Sequence, residues 1–130
     1  MWVIIFDFSG MVGGNKGARR WGAGKGERMA KGYWIAQVDV ADAEAYKAYI
    51  AAAAPVFARY GARFIVRGGQ KEVPEGQARA RVVVVEFPSY TAAQQCYHSA
   101  DYAFARTLRV TCSVMDGVII EGYDGPQPGE

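Results

Sequence analysis

The chain is poor in the groups that carry most enzyme chemistry. Among its 130 residues there is one histidine, His98, and two cysteines, Cys96 and Cys112. Any role that needs a base near neutral pH therefore falls on His98 or on no imidazole at all. No motif places a nucleophile and an acid to complete a triad with it. Cys96 and His98 are two positions apart and would point away from each other on a helix, and no second cluster exists to complete a metal site. A haem would need His98 as its axial ligand, and nothing else in so short a chain marks a haem pocket. No metal and no tightly bound cofactor are expected. The two cysteines, with no secretory signal before them, are expected to be reduced thiols in a cytoplasmic protein.

Long apolar runs are also missing. None approaches the ~20 residues that a membrane helix needs. Nor is there a basic surface to speak of. Residues 1–28 hold five lysines and arginines against Asp7 and Glu27, whereas residues 29–130 hold ten against eleven carboxylates. The positive excess lies entirely in the leading segment. The remainder has no electrostatic footprint for nucleic acid or an anionic membrane.

That leading segment carries seven of the sixteen glycines. Its Gly22-Ala-Gly-Lys-Gly run lacks the spacing of a phosphate loop. Its apolar start precedes its basic part, the reverse of a signal peptide. Residues 1–28 are expected to be a disordered basic arm. Met29, just before the first strand, is the expected start of translation.

What the chain does contain is a strong central strand. Arg79–Ser89 runs through Val82, Val83, Val84 and Val85 before Pro88 ends it. Valine on successive positions faces both sides of a sheet, so both sides need cover. One domain's helices usually cover one side, and a second subunit is the simplest cover for the other. Ahead of it, Lys31–Val40 alternates, with Tyr33, Ile35 and Gln37 on one face and Trp34, Ala36 and Val38 on the other. Asp42 is suited to cap a helix carrying Tyr46, Tyr49, Ala53, Val56 and Phe57 at helical spacing, which Gly61 closes. A short strand follows over Ala62–Gly68, and Lys71–Ala78 forms the loop of a long hairpin. Ser89 and Ser99 cap two further helical pieces, about Tyr90–Tyr97 and Asp101–Val110. A last strand is expected over Gly117–Gly122, and residues 124–130 read as a flexible tail. The order β-α-β-β-α-α-β is the ferredoxin-like split βαβ plan: a four-stranded antiparallel sheet with helices on one face. RNA-recognition modules share this plan, but their aromatic signature belongs on the third strand, where Arg81-Val-Val-Val-Val-Glu-Phe lacks both its glycine and its stacking rings.

The motifs Gly32-Tyr33-Trp34, Tyr60-Gly61, Arg67-Gly68-Gly69, Glu86-Phe87-Pro88-Ser89, Tyr97-His98-Ser99-Ala100-Asp101-Tyr102 and Glu121-Gly122 resemble those of the domain of unknown function family numbered 1330. The resemblance covers Met29 to about Tyr123 and implies the dimeric α+β-barrel superfamily, in which two such sheets close face to face. Relatives in that superfamily include cofactor-independent monooxygenases, isomerases and haem-dependent dismutases; the family itself carries no agreed activity. Where its members commonly have Ser-Pro-Glu-Tyr, this chain has Ser99-Ala100-Asp101-Tyr102.

Four side chains are singled out. His98 lies at a helix break and is the candidate catalytic residue; the competing reading is a capping or surface histidine. Arg67 and Glu86 interrupt strands and are costly there unless paired, so they are candidate ligand-binding residues. The competing reading is that they neutralise each other across the hairpin or reach a helix end. Tyr102 stands beside His98 and is the fourth. Arg109 could also meet an anion, but on a helix it reads as part of a solvated face. Two functions remain in view: a homodimeric protein that binds or transforms a small, perhaps anionic, organic molecule in a cleft between sheet and helices, or a non-catalytic homodimeric module.

Overall fold

Alternation along Gly32–Val40 becomes strand β1, with Trp34, Ala36 and Val38 buried and Ile35 exposed. The computed structural model describes residues 30–130. The expected basic arm and the expected start at Met29 lie outside the described residues. Lys31–Gly122 form one compact unit. Outside it, the described residues Tyr123–Glu130 hold a turn of their own, in which the Tyr123 hydroxyl donates to the Pro126 carbonyl at 2.7 Å.

After β1 come α1 (Ala43–Arg59), β2 (Arg63–Arg67), β3 (Arg81–Phe87), α2 (Tyr90–His98), α3 (Ala100–Arg109) and β4 (Ser113–Glu121). The sheet order is β2-β3-β1-β4, antiparallel throughout. This is the ferredoxin-like α+β arrangement, and the valine-rich β3 is internal to the sheet.

Each helix begins where a side chain can hold its free backbone N–H groups. The Asp42 carboxylate accepts from Glu44 N and Ala45 N, Ser89 from Ala92 N, and Ser99 from Tyr102 N. Helix α1 ends at Gly61, whose φ of 73° closes two backward bonds, Gly61 N to Ala58 O and Ala62 N to Phe57 O. Pro55 sits inside this helix, which is nonetheless continuous from Ala43 to Arg59. The last strand starts at Ser113, four residues ahead of the position expected from its valine and isoleucines. Pairing of Ser113–Asp116 with Gln37–Val40 supplies hydrogen bonds that the local sequence does not advertise.

The core lies between the helices and one sheet face. Trp34 is its centre, with ring centroids of Phe57, Phe87, Tyr97 and Tyr102 all within 5.6 Å of its own. Its indole N–H, which a buried tryptophan must satisfy, donates to the Ala93 carbonyl at 2.8 Å. The other face has no helix among the described residues. An apolar row, Val66-Val84-Ile35-Val118, crosses all four strands there. Polar groups flank the row on both sides. On one, Glu86 pairs with Arg63 at 3.1 Å and accepts from the Tyr33 hydroxyl at 3.3 Å. On the other, Arg79 bridges Asp39 at 2.9 Å and Asp116 at 2.8 Å.

Candidate functional site: an aromatic cavity between the first helix and the sheet

The inner face of helix α1 mixes small and aromatic side chains, and the small ones leave space against the sheet. Ala53 and Ala54 face Ala36, Val83 and Val85 across the gap, and a cavity of about 270 Å³ remains between them. Its walls are mainly apolar and aromatic, with Tyr46, Tyr49, Phe57, Phe64 and Tyr102. Arg67 and Arg81 line it from the sheet side. Such a space, mostly apolar with a few directed polar groups, suits a small organic ligand.

A β-bulge brings Arg67 there. In β2, Arg63 pairs with Glu86 and Phe64 with Val85, but the register shifts at Ile65 and Val66 then pairs with Val84. Strict alternation would put Arg63, Ile65 and Arg67 on one face. The extra residue reverses the alternation, so Arg67 joins Phe64 on the helix side. Its guanidinium lies 4.0 Å from the centroid of the Phe64 ring, a cation–π contact. Gly68 follows at φ 69°, and a side chain there would crowd the Arg81 guanidinium, whose Nη1 would be 3.0 Å from a Cβ.

Two of the lining tyrosines, Tyr49 and Tyr102, are joined to Arg109 behind them. Arg109 Nε reaches the Tyr102 hydroxyl at 3.4 Å, and Tyr102 meets the Tyr49 hydroxyl at 2.8 Å. Arg109 can only donate, so the Tyr102 oxygen accepts from it. Either hydroxyl can be the donor of the Tyr49–Tyr102 bond, because the Tyr102 oxygen can accept twice. Burial, followed by its contact with Tyr102, raises the Tyr49 pKa well above the ordinary tyrosine value. Tyr49 is thus a neutral hydrogen-bond donor and not a base. Burial also raises Tyr46. For Arg109, burial works against the charge, but the Tyr102 and Tyr49 oxygens more than offset it and leave its pKa above the ordinary value.

Of the four side chains singled out from sequence, Arg67 and Tyr102 line this cavity together. Glu86 does not: it lies on the opposite sheet face with Arg63 and Tyr33. The competing reading, in which Arg67 and Glu86 neutralise each other, is corrected as well: Glu86 pairs with Arg63, and the bulge separates the two arginines. The nearby carboxylate, after burial, helps raise the pKa of Tyr33. His98 is exposed at the end of α2, its ring 5.3 Å from that of Tyr97, and it does not line the cavity.

Two residues were under-read. Arg109 is only 5% exposed and is no solvated residue. The signal was its spacing, since Tyr102, Ala105 and Arg109 recur on one helical face and all three are buried. Tyr49 carried no mark beyond helical periodicity. Among the described residues, no group of three histidine, cysteine, aspartate or glutamate side chains could hold a metal ion. Cys96 and Cys112 are separate, buried thiols, and burial pushes Cys96 up to about 12. No described helix is long and apolar enough to cross a membrane.

The sheet order and the helices on one face define a ferredoxin-like α+β domain. A family model described as Domain of unknown function (DUF1330) matches residues 31–123, and the chain belongs to that family. Solved structures share the fold. The methylated RPA0582 protein is 20% identical, with a TM-score of 0.61 over 92% of this chain and 97% of that one. The RPA0582 protein of unknown function from Rhodopseudomonas palustris is 21% identical, with a TM-score of 0.58 over 90% and 98%. SnoaB, a cofactor-independent oxygenase from Streptomyces nogalater, is 13% identical, with a TM-score of 0.54 over 78% and 99%. No curated protein matches the chain.

Proposed function

We propose that the protein binds a small organic molecule, largely apolar and bearing one acidic group, in the cavity between α1 and the sheet. The observation that carries this reading is the cavity itself: about 270 Å³ of aromatic-lined space with Arg67 and Arg81 on one wall and the Tyr49 hydroxyl on another. The arginines would meet the acidic group, since a guanidinium pairs with a carboxylate in a two-pronged geometry. The Tyr49 O–H would donate to a carbonyl or hydroxyl oxygen of the ligand. The reading needs no tightly bound cofactor, and the description of SnoaB as a cofactor-independent oxygenase supports such a use of the fold.

We infer further that the unit is a homodimer through its helix-free sheet face. Val66, Ile35, Val118 and Ile120 are 39–55% exposed on that face, and the apolar row is bounded by the Arg63–Glu86 and Arg79–Asp39–Asp116 groups. An apolar centre with a polar rim is the anatomy of a protein interface. Neither nucleic acid nor a membrane is called for.

The test is a thermal-shift and calorimetric screen of aromatic carboxylates beside their neutral amides. Ala53→Leu should fill the cavity and abolish binding while the protein stays folded. Arg67→Ala should weaken the carboxylates about tenfold and the amides little, the scale of a lost charge-assisted hydrogen bond. A screen without hits, or hits indifferent to Ala53→Leu, refutes the reading in favour of a non-catalytic dimeric module.

A further inference from the structure

A second hollow lies on the helix side of the sheet, toward the free edge at β4. Its floor includes Gly117 and Ile119 of β4, and its walls bring in Tyr97 and His98 from the end of α2 and Arg106 and Arg109 from α3. We propose that this hollow binds the oxyanion of a small organic acid or phosphate ester, held by Arg109, Arg106 and His98.

Charge is the first argument. Arg106 and Arg109 lie one turn apart on α3 and line the same space with His98, and no carboxylate lines it with them. Like charges at that spacing repel. The neighbouring acids are engaged elsewhere: Asp101 with Arg59, and Asp116 with Arg79. Arg109 sharpens the argument because it is 5% exposed. An arginine has five N–H donors, yet Arg109 meets only tyrosine, with Nε 3.4 Å from the Tyr102 hydroxyl, and no carboxylate pairs with it among the described residues. The Tyr49 ring stacks at 5.6 Å from the guanidinium carbon and supplies no formal charge. The tyrosine oxygens keep the guanidinium charged but do not neutralise it, and a bound carboxylate or phosphate would match its planar fork.

Shape is the second argument. Gly117 pairs with Ala36 across the sheet, so two small residues leave the floor open. Its backbone is ordinary for a strand, and an added Cβ would meet nothing closer than 3.5 Å. The absence of a side chain there is therefore not imposed by backbone strain or by crowding. Ile119, Met115 and Tyr97 give the hollow apolar flanks for the body of the ligand. Its volume, about 420 Å³, is ample for a compact aromatic acid.

The experiment titrates phenyl phosphate, benzoate and, as the neutral control, phenol into the full chain in a chloride buffer. Heat and backbone amide shifts are read together. At least one anion is expected to bind and to shift the amides of Gly117, His98 and Arg106, and the tighter of the two identifies phosphate or carboxylate. Arg106→Gln should weaken it about tenfold, as loss of one charge-assisted bond does. Gly117→Val should abolish it by filling the floor. Arg109→Met should do the same, and if that variant fails to fold, the other two decide. The proposal is overturned if neither anion binds, or if the shifts appear only around Arg67 and Gly68. It is equally overturned if phenol binds as tightly as the anions, or if Arg106→Gln and Gly117→Val bind within twofold of the parent chain.

Discussion

Replacing Tyr102 by phenylalanine should damage the protein more than the same change at Tyr49, although the two hydroxyls share one hydrogen bond. Tyr102 is fully buried and Tyr49 is 8% exposed, so neither group gains water when its partner is lost. Tyr102→Phe removes two interactions, the 2.8 Å bond to Tyr49 and the 3.4 Å bond from Arg109, and leaves the guanidinium without an acceptor. A neutral bond contributes about 1 kcal/mol, and stranding a buried charged donor adds about 1–2 kcal/mol, so the loss should be about 2–3 kcal/mol. Tyr49→Phe removes the shared bond and leaves the Arg109–Tyr102 bond in place, for a loss of about 1 kcal/mol. In a domain of this size each kcal/mol moves Tm by about 4–8 °C. The two variants should therefore differ by roughly 4–16 °C in a calorimetric scan at one protein concentration. The double variant should fall short of the sum by about 1 kcal/mol, because the shared bond can be lost only once. Equal losses for the two single variants, or strict additivity in the double, would refute the hydrogen-bonded chain that joins Arg109, Tyr102 and Tyr49.

Gly32→Ala should cost about 3 kcal/mol by urea unfolding, since a Cβ there would fall on the Ser89 carbonyl oxygen and 2.6 Å from Tyr90 Cα, both backbone atoms that cannot step aside. Ile35→Lys, in the middle of the apolar row, should turn a dimer into a monomer by sedimentation at micromolar concentration while leaving the far-UV spectrum intact; a parent chain that already sediments as a monomer removes the interface argument. The Asp39 carboxyl is held below the usual carboxylate range by the Ala80 N–H and then the Arg79 guanidinium. Its contribution is complete above the unfolded value, about 3.9, and is lost as pH falls through the lower folded value. The stability gap between the parent and Asp39→Asn should accordingly hold steady near neutrality and close only in acid. Cys96, buried with its thiol pushed up to about 12, should react with an aromatic disulfide reagent at pH 8 only as the protein unfolds; rapid labelling of the native chain at Cys96 would contradict that burial.

Much of the fold is legible in the chain because it is written in local terms. Strand alternation at Tyr33–Val38 separates the two faces before any contact is known, and Asp42, Ser89, Ser99 and Gly61 mark helix ends through bonds that span only a few residues. The valines of β3 state that both faces need cover, for the same reason. The site is different, because its chemistry depends on which residues meet across the sheet. Arg67 and Glu86 look alike as charges in strands, and only the bulge at Ile65, a property of the pairing between β2 and β3, sends one to the cavity and the other to the opposite face. His98 is conspicuous as the single imidazole, yet it projects at the end of α2 away from the aromatic cavity. Arg109 reads as solvent-facing in a helix of mixed polarity, but α3 packs on α1 with Tyr102, Ala105 and Arg109 inward. Sequence determined the elements, their ends and the apolar character of both sheet faces, because those follow from neighbours along the chain. The tertiary structure alone decided which charges are paired, which is buried without an anion, and which tyrosine hydroxyls meet in the core, because each of those depends on partners far apart in the chain.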